Sequence, residues 1–304
     1  MSFRDLPLAL VLFAALSVRG AGAADAARAA VDVVDDRGVR VALAAPARRI
    51  VALAPSITEL VFAAGAGAKL VGVARFSDYP PAAKAIAEIG DASRIDLERV
   101  LSLKPDLLIG WQTGNHAADI ERLQQLGFPV YVAEPATLAA IPRLLRAFGA
   151  LGGTREVAEQ AAASFESGIA ALSERYGARP KVRVFYEIWH QPLMTVNGRH
   201  MIDDVIRRCG GSNIFADVAS LAPLVSLESV IARQPEVVLG GSSATTPAEF
   251  AAQWTTYANF AGLRNVRAKY VDPDHIQRQT PRILRGAGAV CEILDEVRAG
   301  RSAR

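Results

Sequence analysis

The sequence predicts an α/β protein of two similar lobes, each a mostly parallel sheet flanked by helices, joined by one long rigid connector helix. Three observations carry this. Residues 95–110 read IDLERVLSLKPDLLIG and residues 225–240 read VSLESVIARQPEVVLG, an offset of 130 residues with leucine, glutamate, valine, proline and glycine recurring at matching places. The apolar runs 107–109 and 237–239 lack alternation, as strands covered on both faces of a parallel sheet do. Between the two copies, Val157, Ala161, Phe165, Ile169 and Leu172 fall at helical spacing, and only Gly168 interrupts the segment 154–176. A helix of roughly 20 residues is about 30 Å long. Such a spacer is stiff, so the lobes are expected to move little relative to each other. A helix–strand unit used twice, far apart, makes two lobes, and two lobes make a cleft.

The elements follow in order. Residues 31–34 and 39–43 surround Asp35-Asp36-Arg37-Gly38 and read as a hairpin. Residues 49–53 form the first core strand, and Ser56 with Glu59 has the spacing of a capping box opening a helix to about residue 64. Gly65-Ala66-Gly67 sits after this helix rather than between strand and helix, so it reads as a helix C-cap and turn, not a dinucleotide fingerprint. Residues 70–74 are the second strand. In each copy of the repeat, Asp96 or Ser226 caps the helix and Pro105 or Pro235 ends it. Helices are expected over 117–126, 141–151, 202–209 and 248–259, and strands over 129–133, 182–188 and 268–271. Gly210 to Phe215 and the polar stretch 272–280 read as loops, and Pro281 opens a final helix to about residue 297.

The first residues set the address. Arg4 precedes an apolar run over 6–18, which is too short for a bilayer span of about 20 residues. Ala21-Gly22-Ala23 fits a signal-cleavage site, so residues 1–23 are expected to be a signal peptide removed near Ala23; an uncleaved anchor helix is the alternative. Removing Arg4, Arg19 and Asp5 takes the net charge from +3 to +2. No basic cluster exceeds two or three residues, which argues against a nucleic-acid partner. No cysteine follows the cleavage position, so no lipid anchor is expected. The remaining chain divides into an N-terminal lobe over 24–153, a connector over 154–178 and a C-terminal lobe over 179–304, and the expected location is the periplasm. Cys209 and Cys291 both fall in helix-like segments of the second lobe. In an exported chain they read as one disulfide, with two buried thiols as the bland alternative.

Function is sought at the strand ends, where open α/β sheets bind ligands. Tyr79, Trp111, Glu134, Trp189 with His190, and Asp274, His275 and Arg278 follow the expected strands, so two of the three tryptophans lie there. Aromatic faces from both lobes suit a large, flat, partly apolar ligand; ordinary packing at lobe rims is the competing account. Catalysis finds little support. There is no nucleophile elbow, phosphate loop or His-Glu-x-x-His, and the four histidines have no metal-ligand spacing. The chain therefore reads as a binding protein rather than an enzyme, without a cofactor or resident metal.

The repeated Leu-Glu units, the connector helix and the export signal resemble the helical-backbone (class III) substrate-binding proteins of ABC importers, which carry iron-siderophores, haem and cobalamin. Ser77-Asp78-Tyr79-Pro80-Pro81, Leu97-Glu98-Arg99, Cys209-Gly210-Gly211 and Pro281-Arg282-Ile283 with Cys291 resemble its cobalamin-binding branch. The resemblance implies a monomeric receptor that captures a corrinoid, cobalamin or cobinamide, between the lobes and hands it to the permease subunits of an inner-membrane ABC transporter. It implies a Cys209–Cys291 disulfide, ligand contacts at Tyr79, Trp111, Asp274 and Arg278, and transporter docking through Glu98 and Glu228. Two positions depart from the pattern: Ala222 stands where it has tryptophan and His275 where it has an aromatic. Trp189 is the candidate replacement for the lost surface, and His275 the candidate for approach to a corrinoid metal lacking its lower base. Haem or ferric-siderophore capture is the alternative within the same fold; haem would use His275 or Tyr79 as an axial ligand, whereas Arg278 and Arg75 are few arginines for an anionic chelate.

Overall fold

A computed structural model describes residues 31–302 apart from 258, 259, 261, 262 and 265. The expected signal peptide lies outside the described residues. Among those described, no helix is long and apolar enough to cross a membrane.

The first sheet holds β3 (Ile50–Ala52), β4 (Leu70–Val73), β7 (Leu107–Trp111) and β8 (Val130–Ala133), all parallel, in the order β4-β3-β7-β8. An antiparallel hairpin of β1 (Val31–Val34) and β2 (Arg40–Leu43) precedes it. A small pair, β5 (Gly90–Asp91) and β6 (Arg94–Ile95), stands beside it. Helices α1 (Pro55–Ala63), α2 (Leu97–Ser102), α3 (Ala117–Gln125) and α4 (Ala140–Gly152) complete the lobe. Leu107, Leu108 and Ile109 are fully buried, as their lack of alternation requires.

The connector α5 runs Arg155–Tyr176, 22 residues, and packs along α4 and the C-terminal helix. Beyond it lies a second parallel sheet in the order β10-β9-β11-β12, made of β9 (Val182–Glu187), β10 (Gly211–Asn213), β11 (Val237–Gly240) and β12 (Arg267–Tyr270). Its helices are α6 (Met201–Arg208), α7 (Leu227–Ala232), α8 (Pro247–Thr255), the short α9 (Pro273–Ile276) and α10 (Ile283–Ser302).

The sequence repeat is a repeat in space. Asp96 Oδ1 accepts from the Arg99 amide at 2.9 Å and Ser226 Oγ from the Ser229 amide at 3.2 Å, capping α2 and α7. Each helix leaves through a left-handed residue, Lys104 (φ 46) or Gln234 (φ 51), just before its proline. The Asp106 carboxylate then accepts from the Arg48 and Arg49 amides at 2.8 and 2.9 Å, as Glu236 accepts from the Arg183 amide at 2.8 Å. Arg49 and Arg183 in turn donate to carbonyls at the end of the helix, Leu103 and Gln234. The acidic residue after each proline thus pins the following strand to its sheet neighbour, β7 to β3 and β11 to β9.

Three expectations fail. Ser56 is not an N-cap: α1 starts at Pro55 after Ala54, no side chain caps it, and Ser56 Oγ is buried without a partner. Gly211–Asn213 is an edge strand rather than loop, because its main chain pairs with β9 although Gly-Ser-Asn carries no β-branched or apolar signal. Within 272–280, Asp272 Oδ1 accepts from the Asp274 amide at 2.9 Å and starts the single turn α9.

Cys209 and Cys291 are joined in a disulfide that ties the end of α6 to α10, closing 82 residues of chain. Titration of the denatured, unreduced protein with a thiol reagent is expected to find no free thiol; two titratable thiols would refute the bond.

Candidate functional site

In both sheets the chain reverses direction beside its first strand, between β3 and β7 in one and between β9 and β11 in the other. Crevices outside the carboxyl ends of strands at such points are where open sheets hold ligands. At the first, buried Asn115 fixes the end of β7 at Trp111. Its Nδ2 donates to the Leu53 and Ala92 carbonyls at 2.9 and 2.8 Å, and its Oδ1 accepts from the Trp111 amide at 2.7 Å. At the second, the buried Glu187 carboxylate accepts from Trp254 Nε1 at 2.6 Å and faces His190 Nδ1 at 3.3 Å. Burial pushes the Glu187 carboxyl up from its ordinary range, opposed by His190 and Trp254. Trp189 follows directly and is 57% exposed, with its Nε1 donating to the Gln191 carbonyl at 2.8 Å.

The lobes meet through charge. Glu59 of α1 is only 3% exposed, and it accepts from Arg278 Nη1 at 3.0 Å and from Arg282 Nε and Nη2 at 2.9 and 2.7 Å. Arg278 also reaches Asp78 at 2.9 Å and Asp274 at 3.1 Å. The guanidinium of Arg282 lies 4.1 Å above the Tyr79 ring. Arg278 and Asp274, both expected to contact ligand, are paired with each other here as members of a cross-lobe ion cluster.

Three cavities hold the candidate aromatics, two with walls from both lobes and one within the second lobe. One of about 390 Å³ holds Tyr79, Glu59, Phe62, Arg282 and Arg285. A second of about 270 Å³ takes walls from both lobes, with Trp111 and Glu134 on one side and Ile188, His200 and Gln277 on the other. A third of about 240 Å³ holds Trp189, Glu187, His190, Ser242 and Gln253. Tyr79, Trp111 and Trp189, read together from the sequence, thus occupy separate cavities. His275 sits on α9 with Nδ1 3.5 Å from Asp272 Oδ2.

Two residues of the first lobe escaped the sequence reading. Glu59 looked like half of a capping box. Phe76 is 69% exposed with left-handed backbone (φ 68), two residues before Asp78. An exposed aromatic held in a conformation that bulky residues avoid points to function.

Two α/β lobes with a helical connector and strand ends meeting at a shared boundary define a two-lobed binding protein, and the chain belongs to the periplasmic binding protein family, whose pattern it matches over residues 50–275. Within that class it is similar to the vitamin B12-binding protein of Vibrio campbellii, with 38% identity over 256 residues, covering 84% of this chain and 92% of the relative. It is similar in structure to the periplasmic vitamin B12 binding protein of Vibrio cholerae, with 34% identity, a TM-score of 0.76 and coverage of 83% of this chain and 98% of that one. A periplasmic heme-binding protein from Roseiflexus sp. RS-1, in apo form, is 26% identical with a TM-score of 0.70, covering 82% of this chain and 98% of that one.

Proposed function

We propose that this protein is a periplasmic receptor that captures one corrinoid, cobalamin or cobinamide, between its lobes and delivers it to an inner-membrane ABC importer. The mature chain starts near Ala24, its lobes are residues 24–153 and 179–304, and it works as a monomer without catalysis. The observation that carries the reading is the 38% identity to a vitamin B12-binding protein along 92% of its length. Aromatic surface in both lobes supports it: Phe76 and Trp111 in the first, Trp189 in the second. Asp274, His275 and Arg278 are the polar contacts proposed from the second lobe.

The cavity of about 390 Å³ lies at the low end of the roughly 300–1,000 Å³ typical for drug-sized ligands and the other two fall below it, whereas a corrinoid is larger than a drug-sized ligand. A corrinoid is expected to span more than one of them.

Calorimetric titration of the purified protein with cyanocobalamin, dicyanocobinamide and haemin tests the reading. One corrinoid per chain is expected, with haemin much weaker. Trp111→Ala should weaken corrinoid binding about ten- to a hundred-fold through loss of roughly 1–3 kcal/mol of stacking and burial. Tight binding of haemin with no corrinoid binding would replace this reading with haem capture.

A further inference from the structure

The cavity between the lobes offers a hydrogen-bond donor from one side and an acceptor from the other. His200 is the N-cap of α6, and its Nδ1 accepts from the Ile202 amide at 3.2 Å. An imidazole that accepts at Nδ1 carries its proton on Nε2, which is then a donor only. Burial pushes the ring's pKa down to about 4, so it stays neutral in ordinary conditions. Nε2 has no partner among the described residues, and the ring lines the cavity. On the other lobe, Glu134 Oε2 accepts from the Thr113 amide at 3.0 Å while Oε1 has no partner among the described residues. The wall beside it is Trp111, whose indole N–H is buried without an acceptor. The one cation in the lining is Arg199, which already donates to the Ala219 carbonyl, so the charged lining of Glu134 and Arg199 is neutral in sum.

We propose that this cavity seats a primary carboxamide arm of the ligand, with His200 Nε2–H donating to the amide oxygen and Glu134 Oε1 accepting from the amide nitrogen. At about 270 Å³ the space suits a side arm and not a ring system. A carboxamide satisfies both groups at once. A carboxylate of the same shape satisfies His200 but has no hydrogen for Glu134 and repels it, so the pair selects against carboxylate rims by charge repulsion and an unpaired acceptor on half-buried Glu134. The proposal rests on the corrinoid reading, because corrinoids carry primary carboxamides on their rims and haem carries carboxylates.

The test compares dicyanocobinamide with dicyanocobyrinic acid, in which the rim amides are carboxylates, by titration of wild type, His200→Asn and Glu134→Gln. Asparagine keeps the N-cap acceptor and removes the Nε2 donor. Cobinamide affinity should fall three- to ten-fold in His200→Asn. The preference for cobinamide over the acid should narrow at least ten-fold in Glu134→Gln, with unchanged melting temperatures confirming both folds. Cobinamide binding by wild type with both variants within two-fold of it for both ligands would overturn the carboxamide seat alone. Failure of wild type to bind either corrinoid, with haemin bound, would overturn the corrinoid reading and the seat with it.

Discussion

A protein carrying both Glu98→Lys and Glu228→Lys is expected to support no corrinoid uptake in cells, while its corrinoid affinity stays within about two-fold of wild type. Both glutamates lie in the first turn of the paired short helices α2 and α7, both are exposed, and neither forms an ion pair among the described residues. That is notable on a surface where Arg146, Arg207 and Arg233 all engage acids. The Glu228 carboxyl is held below its ordinary range by its own backbone amide and the Ser226 hydroxyl, so it is charged throughout neutral pH. The purely structural account is that each carboxylate meets the positive end of its helix, worth about 0.3–1 kcal/mol. It predicts a slightly less stable protein whose uptake is intact. The docking account, which the family resemblance supplies, pairs each glutamate with an arginine of one permease subunit, a charge-assisted contact that also steers encounter. Two lysines there would face two arginines and forbid docking. Uptake assays in a strain lacking the native receptor, alongside calorimetry on the purified variant, separate the accounts. Uptake that survives the double reversal leaves both residues as partners of the helix dipole.

What could be read from the sequence is what local chemistry writes into it. The caps Asp96 and Ser226, the stops at Pro105 and Pro235 and the buried strands after them are set by neighbours a few residues away, and all appear where expected. The connector's 22 residues were legible because helical periodicity accumulates over six turns. What escaped is held by distant partners. The strand Gly211–Asn213 exists because β9 offers it a hydrogen-bonding edge. Ser56 and Glu59 satisfied the capping-box spacing, yet the helix began two residues too early for Ser56 to cap it, and Glu59 turned to arginines 219 and 223 residues away. No local pattern announces such a contact. The candidate site shows the same limit: each of Tyr79, Trp111 and Trp189 was identified as a strand-end aromatic, but the cavities of Tyr79 and Trp111 are completed by walls from the other lobe.

That closure rests on Glu59, and Glu59→Ala should destabilise the protein by about 3–5 kcal/mol, the usual cost of removing one partner from a buried ion pair. The reason lies in what is left behind. Arg278 keeps Asp78 and Asp274, and its side chain is 19% exposed, so its loss is partial. Arg282 loses its only carboxylate among the described residues, and its side chain is 12% exposed. The Tyr79 ring 4.1 Å below it remains, but a cation–π contact of about 0.5–2 kcal/mol does not replace a bidentate carboxylate. The uncompensated guanidinium is thus the dominant cost, and the pairing it leaves had tied the two lobes together. If this is right, the damage should be repaired by removing the stranded charge: Glu59→Leu with Arg282→Met should recover most of the loss, since a buried pair replaced by apolar side chains of similar volume is often neutral or better. Urea unfolding of wild type, Glu59→Ala and the double variant measures all three. A loss below about 1 kcal/mol in Glu59→Ala, or a double variant less stable than the single, would show that the cross-lobe cluster holds little of the fold's stability.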